Sequence, residues 1–550
     1  LNDNDTYLKH GTDTFLEGDN VTNIKFDDNL IDTYFMFEGC SSLQYNDFKY
    51  VMTRLTNSLT SIEGMFKGCS LITGDLWYDM FRPCPNVSII KEAFSSTTLT
   101  GIFFSRKSNY SPDDDSTWGI LDFLPKLSDA EAAFESAAIE WIDNNVFAPI
   151  VYNGQTTYSP IAKVDYIFRN CSLLESCEDT RAETIFPGML DSKTFFINLR
   201  NLISIYPKGV FTGCSKIRMQ VTNEGTNTFL FHTINKPAQA MVLSNTLYSG
   251  VKLVGKLGPN VFGGISQTIS SNGTTYYIPT FTSIQYPFEE SSGELTVNLS
   301  EMGDVFQSIA STLRQAIGIF VGVKPADEIG AHKIPANIFR NCRLLNSIES
   351  FFANMPINND NQVYQFPPTY QDGSITKGMF DDCVSLATTK RMFGGCNNLK
   401  LKLVGEGFKN CALADVSNMF ENSGVFGGIP YRLFFMHREN DGVKTISRTI
   451  TNISEVFKGC WCLGYDEIRT ISVGEPLVPD MTWTTWDDHI VSAPGGQVTY
   501  KLDVSNMKKS YNYDRNEDSS SEDYNPGEQA FDVWYLDGYG WEGATSSESG

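Results

Sequence analysis

The sequence of 550 residues has no long hydrophobic run, no cluster of basic residues and only five histidines. Its longest apolar stretch, residues 316–323, is far shorter than the roughly 20 residues that a membrane-spanning helix needs. The net charge of −23 has the wrong sign for contacts with a phosphate backbone. These absences argue against membrane insertion and against nucleic acid as a partner.

Catalytic motifs are missing as well. The sequence has no Gly-x-Ser-x-Gly elbow, no phosphate-binding loop and no dinucleotide fingerprint. It also lacks the Cys-x-x-Cys and His-Glu-x-x-His patterns of zinc sites. We therefore predict no catalytic, cofactor-binding or metal-ligating residues, no cofactor and no enzymatic activity. Paired carboxylates that meet only in space leave sugar hydrolysis open.

What the sequence does contain is a repeat. Ten of the twelve cysteines follow a phenylalanine by three residues, and an apolar residue usually comes three residues later. The residue before the cysteine is Gly, Asn or Asp in nine of the ten copies, types that tolerate a left-handed backbone. The pairs that we predict to form the core of the repeat are Phe37 and Cys40, Phe66 and Cys69, Phe81 and Cys84, Phe168 and Cys171, Phe211 and Cys214, Phe339 and Cys342, Phe380 and Cys383, Phe393 and Cys396, Phe408 and Cys411, and Phe457 and Cys460.

Apolar residues four and one positions before the phenylalanine would share one helical face with it. The motif thus predicts a helix of one or two turns, a left-handed stop, a buried cysteine at the bend and an extended segment. Because every motif cysteine has the same position, we predict free packing thiols rather than the disulfide framework that an even count also permits. Cys177 and Cys462 lie outside this pattern, and their pairing stays open.

The phenylalanines alternate at spacings near 13 and 15 residues where the repeat is undisturbed, as in Phe380, Phe393 and Phe408. Together two such half-units give a period of about 28 residues, and a fixed period in this range predicts a solenoid. The predicted fold is an α/β repeat solenoid of short helices and short strands, with β-hairpin and subdomain insertions and a small β-rich C-terminal cap.

The unit Met-Phe-x-Gly-Cys-x-x-Leu resembles the BspA-like subgroup of leucine-rich repeats, which occurs in bacterial surface proteins. The alternation of Ile-Pro-x-x-Ile-Phe-x-x-Cys with Val-x-x-Met-Phe half-units also resembles repeats of large phage tail proteins. The resemblance covers blocks between residues 35 and 463. It implies an irregular leucine-rich-repeat array that serves as a scaffold, and it implies no particular activity.

Interruptions of the repeat divide the chain into five predicted parts. These are an N-terminal leucine-rich-repeat block with loop insertions (1–218), an inserted mixed α/β subdomain (219–328) with a helix at 302–319, a C-terminal leucine-rich-repeat block (329–464), a β-rich cap (465–509) and an acidic aromatic tail (510–550). Asn-Gly pairs within residues 147–160 and 265–279 predict two tight hairpins that leave the same edge of the array. The aromatic stretch 530–541 predicts that the tail docks on a partner chain.

The first residue is Leu1 and the N-terminal sequence does not resemble a signal peptide, which predicts a processed product or a segment of a longer chain. Repeats broken by long loops suit asymmetric packing among many chains. We expect a non-enzymatic structural and recognition protein of a bacteriophage virion, in the tail or a fibre, located on the virion surface or extracellular. Its expected partners are other protein subunits and a host-surface protein or glycan. The alternatives are a bacterial cell-surface adhesin of BspA-like type and a virion-borne polysaccharide hydrolase.

Overall fold

The structure is a computed structural model, and it describes most of the chain between residues 26 and 458. The described residues are 26, 28–101, 111–152, 155–176, 189–234, 240–291, 294–328, 331–355, 364–396, 401–404, 407–426, 438–440, 443–445, 450–452, 454–458, 489–493, 496–500, 533–536 and 541–544. Cys177, Cys460 and Cys462 lie outside these ranges, as do residues 530–532 and 537–540 of the predicted docking stretch.

The described residues form mostly short β-strands and contain one α-helix, α1 (Tyr45–Met52). The Asp47 carboxylate accepts a hydrogen bond from the Gln44 backbone N–H at the start of α1. Phe48, Val51 and Met52 are buried at the spacing of one helical face. Short 3-10 helices span Asp115–Thr117, Ile120–Phe123, Asn245–Leu247, Glu289–Ser291, Leu299–Glu301 and Gln307–Ile309.

The strands are two to six residues long. They are β1 (Thr73–Asp75), β2 (Thr98–Thr100), β3 (Trp141–Ile142), β4 (Ile150–Tyr152), β5 (Gln155–Thr157), β6 (Glu175–Ser176), β7 (Leu190–Asp191), β8 (Arg218–Gln220), β9 (Thr222–Glu224), β10 (Asn227–Phe229), β11 (Met241–Ser244), β12 (Lys252–Leu257), β13 (Thr268–Ser271), β14 (Thr274–Tyr277), β15 (Phe281–Gln285), β16 (Leu295–Val297), β17 (Gln315–Ile317), β18 (Val323–Pro325), β19 (Tyr364–Phe366), β20 (Thr369–Asp372), β21 (Ile375–Gly378), β22 (Leu401–Leu403), β23 (Val425–Phe426), β24 (Arg438–Asn440), β25 (Val443–Thr445), β26 (His489–Ala493), β27 (Gly496–Tyr500), β28 (Val533–Leu536) and β29 (Trp541–Ala544).

Every sheet that joins strands distant in sequence is parallel. The largest has the order β18-β16-β12-β8-β7, and smaller ones are β11-β15-β17, β19-β22-β23, β1-β2 and β3-β6. The antiparallel pairs are hairpins of consecutive strands: β4-β5, β9-β10, β13-β14, β20-β21, β24-β25, β26-β27 and β28-β29. The fold of the described chain is therefore built from short strands in parallel sheets, with little helix.

A second set of parallel contacts consists of single bridges. One series runs through Asp32, Ser61, Ile89, Asp129 and Lys163, and another through Gln315, Ser347, Thr388, Asp415 and Asn452. Each bridge residue stands five positions before a phenylalanine. We use the term Phe turn for nine residues, from five positions before such a phenylalanine to three positions after it. The structure has Phe turns at Phe37, Phe66, Phe94, Phe134, Phe168, Phe211, Phe320, Phe352, Phe393, Phe420 and Phe457.

Successive Phe turns are joined by a constant pattern of backbone hydrogen bonds. The N–H of each phenylalanine donates to the carbonyl of the residue before the next phenylalanine, at 2.8–3.2 Å, in all nine steps within the two runs 37–211 and 320–457. The residue two positions earlier donates in the same way in all nine steps, and the residue two positions later does so in eight of them. The turn, rather than a strand, is therefore the most regular element of the fold.

The backbone of the Phe turn explains this pattern. The residue two positions before the phenylalanine has positive φ in all eleven turns, and the residue two positions after it has positive φ in all ten turns where it is described. A left-handed residue reverses the local direction of the peptide groups, so that alternate N–H groups point toward the next turn. The predicted helix is therefore wrong, because a left-handed residue precedes the phenylalanine where a helix would need a right-handed one.

The predicted left-handed residue before the cysteine is present at Gly39, Gly68, Asn170, Gly213, Asn341 and Gly395. Pro83, Asp382 and Asn410 are not left-handed. These three belong to half-units outside the Phe turns. The prediction thus holds for one class of half-unit and only partly for the other.

Seven of the ten bridge residues close the turn with a side-chain hydrogen bond. Asp32 Oδ1 accepts the N–H of the residue two positions later at 2.8 Å, and Asp129 and Asp415 do the same at 3.0 and 2.9 Å. Ser61, Ser347, Thr388 and Asn452 use the same geometry at 3.2–3.4 Å. Such local side-chain bonds are typical of Asx and Ser/Thr turns. They satisfy the N–H of the residue three positions before the phenylalanine, which donates no hydrogen bond to the next turn.

The phenylalanine rings of successive Phe turns stack on one another inside the main core. Centroid distances are 5.3–6.3 Å with interplanar angles of at most 24° from Phe37 to Phe211, and 5.2–5.7 Å with angles of at most 9° from Phe320 to Phe457. A second stack contains Phe231, Phe262, Phe306, Phe339, Phe380 and Phe408. Offset parallel rings at these distances attract one another beyond the effect of burial alone.

Both predicted Asn-Gly hairpins are present, as β4-β5 and β13-β14. In the second, Asn272 and Gly273 have φ of +49° and +75°, as a two-residue hairpin turn of mirror-image type requires. The helix predicted at 302–319 is wrong, because the range holds a 3-10 turn at Gln307–Ile309 and strand β17. Left-handed residues at Asp304 and Gly318 prevent a continuous helix there. The five-part division of the chain stays a prediction.

Candidate functional site

The residues predicted to form the core of the repeat are packed in the interior of the described chain. All ten of the predicted phenylalanines are buried. Eight of the nine described motif cysteines are buried and Cys40 is half-buried, and all nine are free thiols. Nothing is described at Cys460.

The thiols have a defined bonding role. Cys69 Sγ donates to the carbonyl oxygen of Phe37 in the preceding Phe turn at 3.0 Å. Cys171, Cys214 and Cys396 repeat this contact with the preceding phenylalanine carbonyl at 2.9–3.0 Å. That carbonyl takes no part in the inter-turn pattern, so the thiol adds a further hydrogen bond between successive turns.

Burial makes these thiols chemically inert. It raises the pKa of Cys69, Cys84, Cys214, Cys342 and Cys396 to about 12, and the pKa of Cys171, Cys383 and Cys411 is raised as well. The thiolate is the reactive form of cysteine. At neutral pH these residues therefore act through packing and hydrogen bonding.

Two antiparallel hairpins, β9-β10 and β13-β14, lie between the two runs of Phe turns, which end at Phe211 and resume at Phe320. We call residues 222–234 together with residues 268–277 the hairpin module. Phe229, Ile269 and Tyr276 form a small apolar cluster separate from the main core, with Ile197 and Ile234 packed against it. Thr233 and Tyr277 exchange backbone hydrogen bonds of 2.8 and 2.6 Å. The two hairpins therefore hold each other in a fixed arrangement.

One lysine ties the hairpin module to the array. Lys193, just after β7, pairs with the Glu224 carboxylate, lies 3.3 Å from Ser271 Oγ and stands 4.9 Å from the centroid of the Phe229 ring. Ser271 Oγ donates to the same carboxylate at 2.6 Å. The Lys193 hydrogen bond, with help from Ser271, lowers the pKa of Glu224. Lys193 thus contacts both hairpins, through Glu224 and Phe229 of β9-β10 and through Ser271 of β13-β14.

His232 is the unusual polar residue of the hairpin module. Only 8% of its surface is exposed, and neither ring nitrogen has a hydrogen-bond partner among the described residues. Its ring lies 5.5 Å from that of Phe229. Burial lowers the pKa of His232 to about 4, so the side chain is neutral at pH 7.

A further hairpin, β20-β21, is held by charge. Asp372 accepts from Arg340 at 2.8 Å and from Lys377 at 3.0 Å, and Lys377 also reaches Asp382 at 3.3 Å. Lys377 and Arg340 lower the pKa of Asp372, while Asp372 raises the pKa of Lys377. Arg340 stands directly after Phe339, and Asp382 stands two residues after Phe380. The hairpin is therefore anchored beside the second phenylalanine stack.

Features with functional chemistry are few in the described ranges. No group of three or more His, Cys, Asp or Glu side chains there is placed to hold a metal ion. No described helix has the length and apolar character that a membrane crossing would require. Comparisons with family models, with curated proteins and with solved structures give no significant match to this chain.

Proposed function

We propose that the parallel strands and Phe turns belong to one solenoid of the BspA-like leucine-rich-repeat type. The support is the repetition of the same backbone geometry in eleven turns with the same inter-turn hydrogen bonds. In a solenoid each repeat contacts only its neighbours, and the stacked phenylalanines form such nearest-neighbour contacts. The resemblance in sequence points in the same direction.

We propose that this solenoid is a non-enzymatic scaffold for recognition, and that the hairpin module is its contact surface. The observation that carries the proposal is the second apolar cluster, Phe229, Ile269 and Tyr276, which stiffens two hairpins outside the main core. A prearranged surface loses little conformational entropy on binding. Its exposed strand residues, such as Ser270 and Thr275, are polar and suit a wet protein contact.

The setting that we propose is a bacteriophage virion, in the tail or a fibre, with other protein subunits as partners. The number of residues between successive Phe turns varies, and different hairpins interrupt the array. Each part of the surface therefore has its own shape, which suits contacts with several different chains. The array also offers one side chain pattern throughout its core, so specificity would come from the insertions.

Mass spectrometry of purified virions tests the setting. We expect the chain in fixed stoichiometry with known tail subunits. Recovery only from bacterial cell envelopes would contradict the virion setting and favour a surface adhesin. Depolymerisation of a capsular polysaccharide by the purified chain would contradict the non-enzymatic role and favour a hydrolase.

A double variant tests the hairpin module. Ser270 and Thr275 face each other across β13-β14, and both are exposed. We expect Ser270→Arg with Thr275→Arg to lower the copy number of the chain in particles at least tenfold. The matched control is Gln371→Arg with Thr376→Arg, the corresponding pair of β20-β21, which should assemble normally. Equal incorporation of both variants would rule out the hairpin module as the contact surface.

A further inference from the structure

His232 stands where the two hairpins of the hairpin module meet. The next residue, Thr233, exchanges backbone hydrogen bonds of 2.8 and 2.6 Å with Tyr277 of β14. The His232 ring lies 5.5 Å from the ring of Phe229, which belongs to the apolar cluster that both hairpins share. A change at His232 therefore acts on the backbone contact and on the apolar cluster that hold the hairpins together.

The surroundings of His232 suit the neutral ring and not the charged one. A protonated imidazole has two N–H donors, but neither ring nitrogen has a hydrogen-bond partner among the described residues. Burial lowers the pKa of His232 to about 4, and the Thr228 backbone, which does not hydrogen-bond to the ring, opposes this only in part. The neutral ring therefore contributes stability above its ordinary pKa of 6.5, and this contribution is lost as the pH falls toward 4.

A cation already lies beside the same aromatic ring. Lys193 Nζ is 4.9 Å from the centroid of Phe229, on which the His232 ring also packs. At neutral pH the Glu224 carboxylate balances the lysine charge. Hydrogen bonds from Lys193 and Ser271 lower the pKa of Glu224. The carboxylate therefore stabilises the module above its ordinary pKa of 4.5 and loses this contribution in more acid solution.

Acid changes both groups in the same unfavourable direction. Protonated Glu224 no longer balances Lys193, and protonated His232 adds a second positive charge beside the same aromatic ring. The array supplies another carboxylate, Asp191, which accepts from the Thr222 hydroxyl and from the Lys193 backbone N–H. Asp191 thus already has its donors and does not replace Glu224 at the lysine side chain. Opening to water is the remaining way to solvate the two cations.

We propose that acidification separates the two hairpins and so removes the contact surface that the hairpin module offers to a partner. The separation is local, because the apolar cluster of the module is distinct from the main core. This regulation rests on the contact role proposed above: a protein bound to the module at neutral pH is released in acid.

Amide hydrogen exchange of the full chain at pH 7 and pH 4, corrected for intrinsic rates, tests the proposal. We expect the protection of residues 227–233 and 268–277 to fall at least tenfold at pH 4, while β8 and β12 keep theirs. His232→Phe keeps an aromatic ring that cannot be charged, so it should reduce the fall to a few-fold. The matched control is His332→Phe, a histidine outside the hairpin module, which should respond to acid like the parent chain.

Three results would overturn the proposal. One is equal protection of the hairpin module at pH 7 and pH 4, and another is a fall in His232→Phe as large as in the parent. The third is an equal loss of protection in β8 and β12, which would mean global unfolding. His232→Leu takes the place of His232→Phe if the latter lacks the circular dichroism of the parent at pH 7. Because the chain alone is measured, the acid response can fail while the hairpin module proves to be the contact surface, and the reverse.

Discussion

Gly322 offers a sharp test of the Phe turn. It stands two residues after Phe320 with φ of +82°, and an added Cβ would lie 2.3 Å from the carbonyl oxygen of Phe288 and 2.8 Å from that of Glu289. Both neighbours are backbone atoms, so no flexible side chain can move aside. Gly39 has the same position after Phe37 and φ of +68°, but nothing lies within 4 Å of its added Cβ.

The expected costs follow from these contacts. A left-handed alanine costs about 1–2 kcal/mol, and this cost applies to both sites. Forcing a methyl group against fixed neighbours adds about 1–3 kcal/mol at Gly322 alone. We therefore expect Gly322→Ala to destabilise the chain by about 2–5 kcal/mol and Gly39→Ala by about 1–2 kcal/mol.

Urea unfolding followed by circular dichroism gives the global shift, and amide hydrogen exchange gives the local one. Repeat arrays open in parts, so exchange at residues 318–324 should rise more in Gly322→Ala than exchange at residues 35–41 rises in Gly39→Ala. Equal losses at the two sites would refute the close approach of backbone that the structure places at Gly322.

Three other predictions concern single groups. Iodoacetamide should label Cys40 first in the native chain and the eight buried motif cysteines only after denaturation without reductant; a requirement for reductant would contradict free thiols. For His232 the folded-state pKa is lowered, so its contribution to stability is complete above pH 6.5 and is lost as the pH falls toward about 4; by linkage the loss reaches about 3 kcal/mol. Urea midpoints of His232→Leu should show a correspondingly weaker pH dependence between pH 6.5 and 4 than the parent, and identical slopes would contradict the buried position. Arg340→Met should speed amide exchange in β20-β21 but not in β13-β14, whereas unchanged exchange in both would mean that the charges do not hold the hairpin.

The sequence was informative about which residues are buried and about the hairpins. Spacing alone identified the phenylalanines and cysteines because the two residue types recur three positions apart, although other Phe turns have Thr97, Ala137, Val323, Met355 or Ser423 at the cysteine position. Asn272 and Gly273 identified their turn because few residues adopt positive φ readily. Both cases rest on strong local preferences.

The backbone of the Phe turn could not be predicted in the same way. Apolar residues four and one positions before the phenylalanine fit a helical face as well as they fit the observed turn. The residue two positions before it is left-handed even when it is Glu92, Tyr166 or Arg391, types with little preference for that conformation. There the inter-turn hydrogen bonds impose the conformation. The usable signal was the Asp, Ser, Thr or Asn five positions before the phenylalanine, which closes the turn with its side chain.

The constancy of the Phe turn explains how the array can carry hairpins at low cost. Successive phenylalanines within the two runs are separated by 27 to 43 residues, yet the same backbone hydrogen bonds join them. Lengthening a flexible connection from 27 to 43 residues costs only about 0.4 kcal/mol of loop-closure entropy. The hydrogen bonds and ring stacking of one step are worth more than that. Insertions can therefore vary between turns without disturbing the array, and the surface that recognises a partner can change while the core stays the same.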